Sequence, residues 1–146
     1  MQNIYGTGTK VTIIAIPTFP AGITITTFPE DQDAVSIDNQ DITEVAMGVN
    51  GDMVAWGRPT PINITLSVFP DSEDDKNLGI LFDMNRIAKN KVSAQDKIIM
   101  TISCPGSDSK TFVNGVITGG PAGNSVSGNS RKQTKQYRFS FENKLN

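Results

Sequence analysis

Six carboxylates crowd one stretch of this sequence: Glu30, Asp31, Asp33, Asp38, Asp41 and Glu44. Oxygen ligation of calcium and the acid pair of a glycoside hydrolase are the two chemistries open to such a cluster. The spacing fits no EF-hand loop, because Asp31 and Asp33 are not followed by the glycine and terminal glutamate that loop requires. A solvated acidic segment is the simpler reading. Cys104 is the sole cysteine, so it forms no internal disulfide and builds no structural zinc site by itself. As a nucleophile it would need a base, and the chain has no histidine, which leaves lysine or a carboxylate with no recognisable motif around it. The same absence removes the commonest general base, transition-metal ligand and pH switch. Gly6 and Gly8 precede the first strand instead of joining a strand to a helix, so they make no phosphate-cradling loop. Trp56 with Arg58 could stack a sugar, yet a single Trp closing an apolar strand reads better as a packing anchor or interface hot spot. Lys132, Lys135 and Tyr137 are too few to hold a nucleic acid. The residues therefore point away from an enzyme and call for no cofactor and no metal.

The elements that position these residues are mainly strands. Ile23–Thr26, Ile62–Val68 and Tyr137–Glu142 alternate apolar and polar side chains, the period of half-buried strands. Val11–Ile16, Ala34–Ile37, Val45–Val49, Met53–Trp56, Ile98–Ser103 and Thr111–Thr118 are less regular candidates. Phe19-Pro20, Phe28-Pro29 and Phe69-Pro70 mark strand ends, since proline cannot donate to a ladder. Asn50-Gly51 predicts a tight, projecting hairpin between two of the apolar runs. One helix is predicted, from a cap at Asp71 or Ser72 to about Asn90. Ile80, Leu81, Met84 and Ile87 should dock it on a sheet, with Glu73, Asp74 and Asp75 at the positive end of its dipole and Lys89 and Lys91 at the other. A glycine-rich loop spans 119–134, and residues 1–10 read as an N-terminal arm.

At 146 residues the chain suits one domain with a real core, and 37% hydrophobic against 19% charged residues is a folded composition. No apolar run is long enough to span a bilayer and no secretory leader is evident, so assembly in the cytoplasm and no membrane partner are expected. The net charge of −2 conceals an asymmetry. Val11–Gly57 carries seven acids and no Lys or Arg, whereas from Lys110 onward Lys110, Arg131, Lys132, Lys135, Arg138 and Lys144 oppose Glu142 alone. Opposite blocks of this kind can meet between copies of one chain.

The stretch from Asp41 to Val54, the strand from Pro61 to Phe69 and the acidic helix start that follows together resemble the tail tube (inner tube) protein of contractile-tailed bacteriophages. The resemblance spans Ile23–Asn90 and returns at Thr111–Glu142. It implies a mainly β (α+β) fold, two packed antiparallel sheets forming a β-sandwich or partly open barrel flanked by one α-helix. It also implies hexameric rings stacked into a tube through which DNA passes. The expected partners are copies of itself, the tail sheath, the baseplate and tail terminator proteins, and the expected location is the virion tail, assembled in the host cytoplasm. The tube of a type VI system or contractile bacteriocin is the alternative, and a carbohydrate-binding β-sandwich using Trp56, Tyr5 or Tyr137 is a weaker one.

On this reading Met47, Asn50, Gly51, Met53 and Trp56 of the hairpin, with Arg131, Lys132 and Lys135, form the subunit interface. Thr24, Thr26, Asn63, Thr65, Ser67, Gln136, Ser140 and Glu142 face the lumen, opposite inward-pointing Ile64, Leu66, Phe139 and Phe141. Their wall would be nearly neutral, with Arg138 balanced by Glu142 or another carboxylate, so that DNA slides without being held.

Overall fold

The computed structural model describes residues 8–30, 32–126, 128 and 131–145. Among the described residues nine strands and one helix follow in the order β1 (Lys10–Ile16), β2 (Phe19–Ile25), β3 (Val35–Ile37), β4 (Thr43–Met47), β5 (Met53–Gly57), β6 (Ile62–Val68), α1 (Glu73–Asn85), β7 (Lys97–Ser103), β8 (Lys110–Gly119) and β9 (Lys135–Lys144). Seven strands make one antiparallel sheet in the order β2-β1-β7-β8-β9-β6-β3. The expected mainly β fold of two antiparallel sheets and one helix takes the form of this curled seven-stranded sheet and a small second sheet, the β4–β5 hairpin. The class is mainly β with one helix, as the alternation and the resemblance implied.

Alternation builds the core. Val11, Ile13 and Ala15 of β1, Ile98, Met100 and Ile102 of β7, and Tyr137, Phe139 and Phe141 of β9 are all buried. Register places Ile13 opposite Met100, Ile64 opposite Phe139 and Ile62 opposite Phe141, so side chains that must leave water meet across the ladder. Each such burial contributes roughly 1.5–3 kcal/mol. Gly115 is required where β8 passes beneath Phe141, because a Cβ there would lie 2.3 Å from ring carbons.

The helix starts as expected and ends early. Ser72 caps it, its Oγ accepting from the Asp75 amide at 3.2 Å. Leu78 and Leu81 are buried, whereas Ile80, Met84 and Ile87 are exposed, so the expected docking stripe is rotated about the helix axis. The cause lies in the acids. Asp74 Oδ2 accepts the amides of Thr26 at 3.0 Å and Thr27 at 2.9 Å, and Asp75 accepts the Tyr137 hydroxyl at 2.8 Å. Both carboxylates therefore belong on the inner face, and they carry Leu78 and Leu81 with them. Since Asp74 holds the end of β2 and Asp75 holds β9, the helix bridges strands far apart in the sheet order and closes the curl.

The helix stops at Asn85, short of the expected Asn90, because the Asn85 side chain pairs with Asp96, accepting its amide at 2.9 Å and donating to Oδ2 at 2.8 Å. Lys91 Nζ caps the terminus by donating to the carbonyls of Asp83 and Arg86. Among the described residues no helix is long and apolar enough to cross a membrane.

Candidate assembly interface

The β4–β5 hairpin stands apart from the seven-stranded sheet. Met47 pairs with Met53, Val45 with Ala55, Ala46 with Val54 and Glu44 with Trp56. Its loop is the three residues 49–51. The Gly51 amide donates to the Gly48 carbonyl at 3.0 Å, the Gly48 amide donates to the Asp52 carbonyl at 2.7 Å, and Gly51 alone in the loop takes a positive φ, 88°. Asn50 sits at the exposed tip. Val45, Met47, Val49, Met53, Val54 and Trp56 are all exposed, Met47 at 65% and Trp56 at 47%. Water contacts apolar side chains along the whole element, the condition that marks an interaction site. At its base Arg58 pairs with Glu44 at 2.7 Å.

The C-terminal basic block is arranged differently from the expectation. Lys135 is largely buried and pairs with Asp75 at 3.0 Å, and Lys132 pairs with Asp71. Their partners are thus the acids that open α1 in the same subunit, not the acidic front segment of a neighbour. The reason is topological: β9 lies beside β6, and α1 follows β6 directly, so these lysines enter the sheet next to the helix start. Asn124 Nδ2 also donates to Asp71, at 3.3 Å, which ties the glycine-rich loop to the helix cap. Hydrogen bonds from Lys132 first, then Asn124, hold the Asp71 carboxyl below its ordinary value of 3.8. Burial and the Asp75 contact push the Tyr137 hydroxyl well above the usual tyrosine range. Arg131 is exposed. Asp31, Tyr5 and Gly6 lie outside the described residues.

The expected lumen residues of β6 and β9 do share one face in register, Asn63 opposite Ser140, Thr65 opposite Arg138 and Ser67 opposite Gln136. Ser140 Oγ donates to Asn63 Oδ1 at 2.6 Å. Thr24, Thr26, Asn63, Gln136 and Glu142 are exposed, and Thr65 and Ser140 half-buried. Ser67 is a correction, for it is 1% exposed. Gln136 lies over its hydroxyl at 3.4 Å, and its amide donates to the Ala34 carbonyl beside β3. Arg138 is a second correction. Among the described residues it makes no ion pair with Glu142 or any other carboxylate, and its guanidinium rests against Gly119. Arg138 lines a shallow cavity with Asp38, Thr65 and Thr118. Tyr137 is 1% exposed and offers no stacking platform to a sugar.

Sequence reasoning missed the network of Asp74, Asp75, Tyr137 and Lys135. The available signal was an acid pair at a helix start combined with a lysine and tyrosine two residues apart on one strand, and either half alone has an ordinary explanation. The paired Asn85 and Asp96 left no sequence signal.

No curated protein matches the chain in sequence. A chain of the PVC sheath/tube terminator in its extended state, from an extracellular contractile injection system, shares the fold with a TM-score of 0.55 at 20% identity, over 99% of this chain and 95% of that one. The tube-terminating cap of the anti-feeding prophage shares it with a TM-score of 0.53 at 16% identity, over 99% of this chain and 91% of that one. The family described as Tail fiber protein gp32 matches residues 2–145, and with a match running almost from end to end the chain belongs to that family.

Proposed function

We propose that the chain is a non-catalytic structural subunit that closes into a ring coaxial with the tube of a contractile tail, in the position that ends the tube. The observation that carries this reading is the detached hairpin, whose apolar side chains are exposed in the isolated subunit and are stable in water only when another molecule covers them. The two similar structures, a sheath/tube terminator and a tube-terminating cap, favour a ring at the tube end over one repeated along it. Both edges of the large sheet support ring formation. β2 carries Pro20 and Gly22, β3 is three residues long, and neighbours on either side would cover them. Six copies is the number the tube resemblance implies. Sheath and tube proteins are the axial partners, and DNA passes through without being bound. The polar face of Asn63, Thr65, Gln136 and Ser140 would line the passage.

Electron microscopy of the purified full chain tests the proposal. Discrete rings are expected. Long tubes would identify a repeating tube subunit instead, and a monomer at every concentration would overturn ring formation. Deleting Val49–Asp52 should leave a folded monomer that forms no ring.

A further inference from the structure

A hairpin that lay on one surface would be apolar on one face and polar on the other, because side chains alternate along each strand. The β4–β5 hairpin carries apolar side chains on both. One face presents Val45, Met47, Met53 and Ala55, and the other Ala46, Val54 and Trp56, with the ion-paired Glu44 at its base. An isolated two-stranded hairpin is also barely stable by itself in water. Two covers are therefore needed, and a single neighbouring surface supplies one.

The subunit carries a second unpartnered apolar surface. Ile80 and Met84 on the outer side of α1 are 50% and 47% exposed, Ile87 just past its end is 76% exposed, and the inner side is occupied by Leu78 and Leu81. Since this stripe and the hairpin are both exposed in the same subunit, the hairpin does not cover the stripe of its own copy. We infer that the outer stripe of α1 receives one face of the β4–β5 hairpin from a neighbouring copy of this chain, the other face being covered elsewhere in the assembly. This rests on the ring proposed above and specifies one of its contacts.

Charge selects a second copy as the occupant. Asp41 and Asp52 lie at the base and tip of the hairpin, Lys76 precedes Ile80 by one turn of α1, and Lys89 lies in the exposed segment after the helix end. Among the described residues none of these four makes an ion pair within the subunit. Opposite signs at the two ends of the hairpin and stripe would set the register of docking. The donor and acceptor surfaces are different parts of the same molecule, so the contact is head-to-tail, the type that closes rings when the rotation permits.

Disulfide trapping in the full chain tests the contact. In a Cys104→Ser background, a Met84→Cys chain is mixed with either a Met53→Cys or a Val54→Cys chain, which sit on opposite hairpin faces. Oxidation should yield a crosslinked dimer from one mixture and not from the other, and none from any single variant alone. Crosslinking in neither mixture, or equally in both, overturns the inference. Separately, Ile80→Asp with Met84→Asp should keep the wild-type melting temperature and abolish rings, and Lys76→Glu with Lys89→Glu should impair rings that Asp41→Lys with Asp52→Lys restore. Normal rings from the Ile80/Met84 variant overturn the docking site and leave ring formation standing. Absence of rings from the wild-type chain overturns both.

Discussion

Asp75 shows how much one side chain determines at the residue scale. Its carboxylate accepts the Tyr137 hydroxyl at 2.8 Å, the Asp71 amide at 2.9 Å and the Lys135 ammonium at 3.0 Å. Removing it strands a buried hydroxyl and a nearly buried cation together, so Asp75→Ala should destabilise the fold by about 3–5 kcal/mol, measured by urea denaturation. Tyr137→Phe removes one donor and leaves the carboxylate its other partners. That change should cost about 1–2 kcal/mol. Asp71 predicts a pH response. Its carboxyl is held below 3.8 by Lys132 and Asn124, so the tie between loop and helix cap is complete above that value and is lost as the pH falls through the lowered one. At neutral pH the Gln133 amide, bonded to the Ser125 carbonyl at 2.7 Å, should exchange slowly with solvent. At pH 7 Asp71→Asn should lower the protection of that amide, measured as its exchange rate relative to an unstructured amide at the same pH, and acidification through the lowered carboxyl value should lower it in the wild type.

Elements follow two different rules in this molecule. Strands of the large sheet are set by alternation, and their inner residues could be named from the sequence because one face had to leave water. The helix obeyed its caps but not its apolar stripe. Ile80, Leu81, Met84 and Ile87 repeat at helical spacing, yet only Leu81 of these is buried, since the hydrogen bonds of Asp74 and Asp75 decide which side turns inward. Leu81→Ala should therefore cost about 2–5 kcal/mol of stability. Ile87→Ala should change it by less than about 0.5 kcal/mol, as a surface substitution does. Comparison of the two unfolding midpoints checks the rotation directly.

For the whole molecule, the outward face of β6 and β9 bears on passage of DNA through the proposed ring. Small polar residues dominate it, and Arg138 remains without an ion-paired carboxylate among the described residues, so each subunit presents there one cation without a direct ion pair, together with the exposed carboxylate of Glu142 on the same face. One cation per subunit adds little affinity, whereas more would add steeply, because each phosphate contact releases counterions. Lysine at Asn63 and Thr65 should leave folding and rings intact and make the rings retain DNA in a filter-binding assay at low salt. Loss of folding would show that this face is packed within the subunit.

By itself the sequence determined the class, nearly every strand, the helix start at Asp71 or Ser72, the projecting hairpin and the inward set of Ile64, Leu66, Phe139 and Phe141. All of these rest on local chemistry: alternation, capping, and the backbone freedom of Gly51. Tertiary structure alone decided that seven strands join the curled sheet and only β4 and β5 the second, that α1 faces inward through Leu78 and Leu81, and that Ser67 is covered. It also decided that Lys132 and Lys135 meet Asp71 and Asp75 instead of the acidic front block. Each of those outcomes depends on a pairing across 60 residues or more, or on which strand lies beside which. Periodicity reports that a side chain needs a partner, and only the sheet order says which partner is within reach.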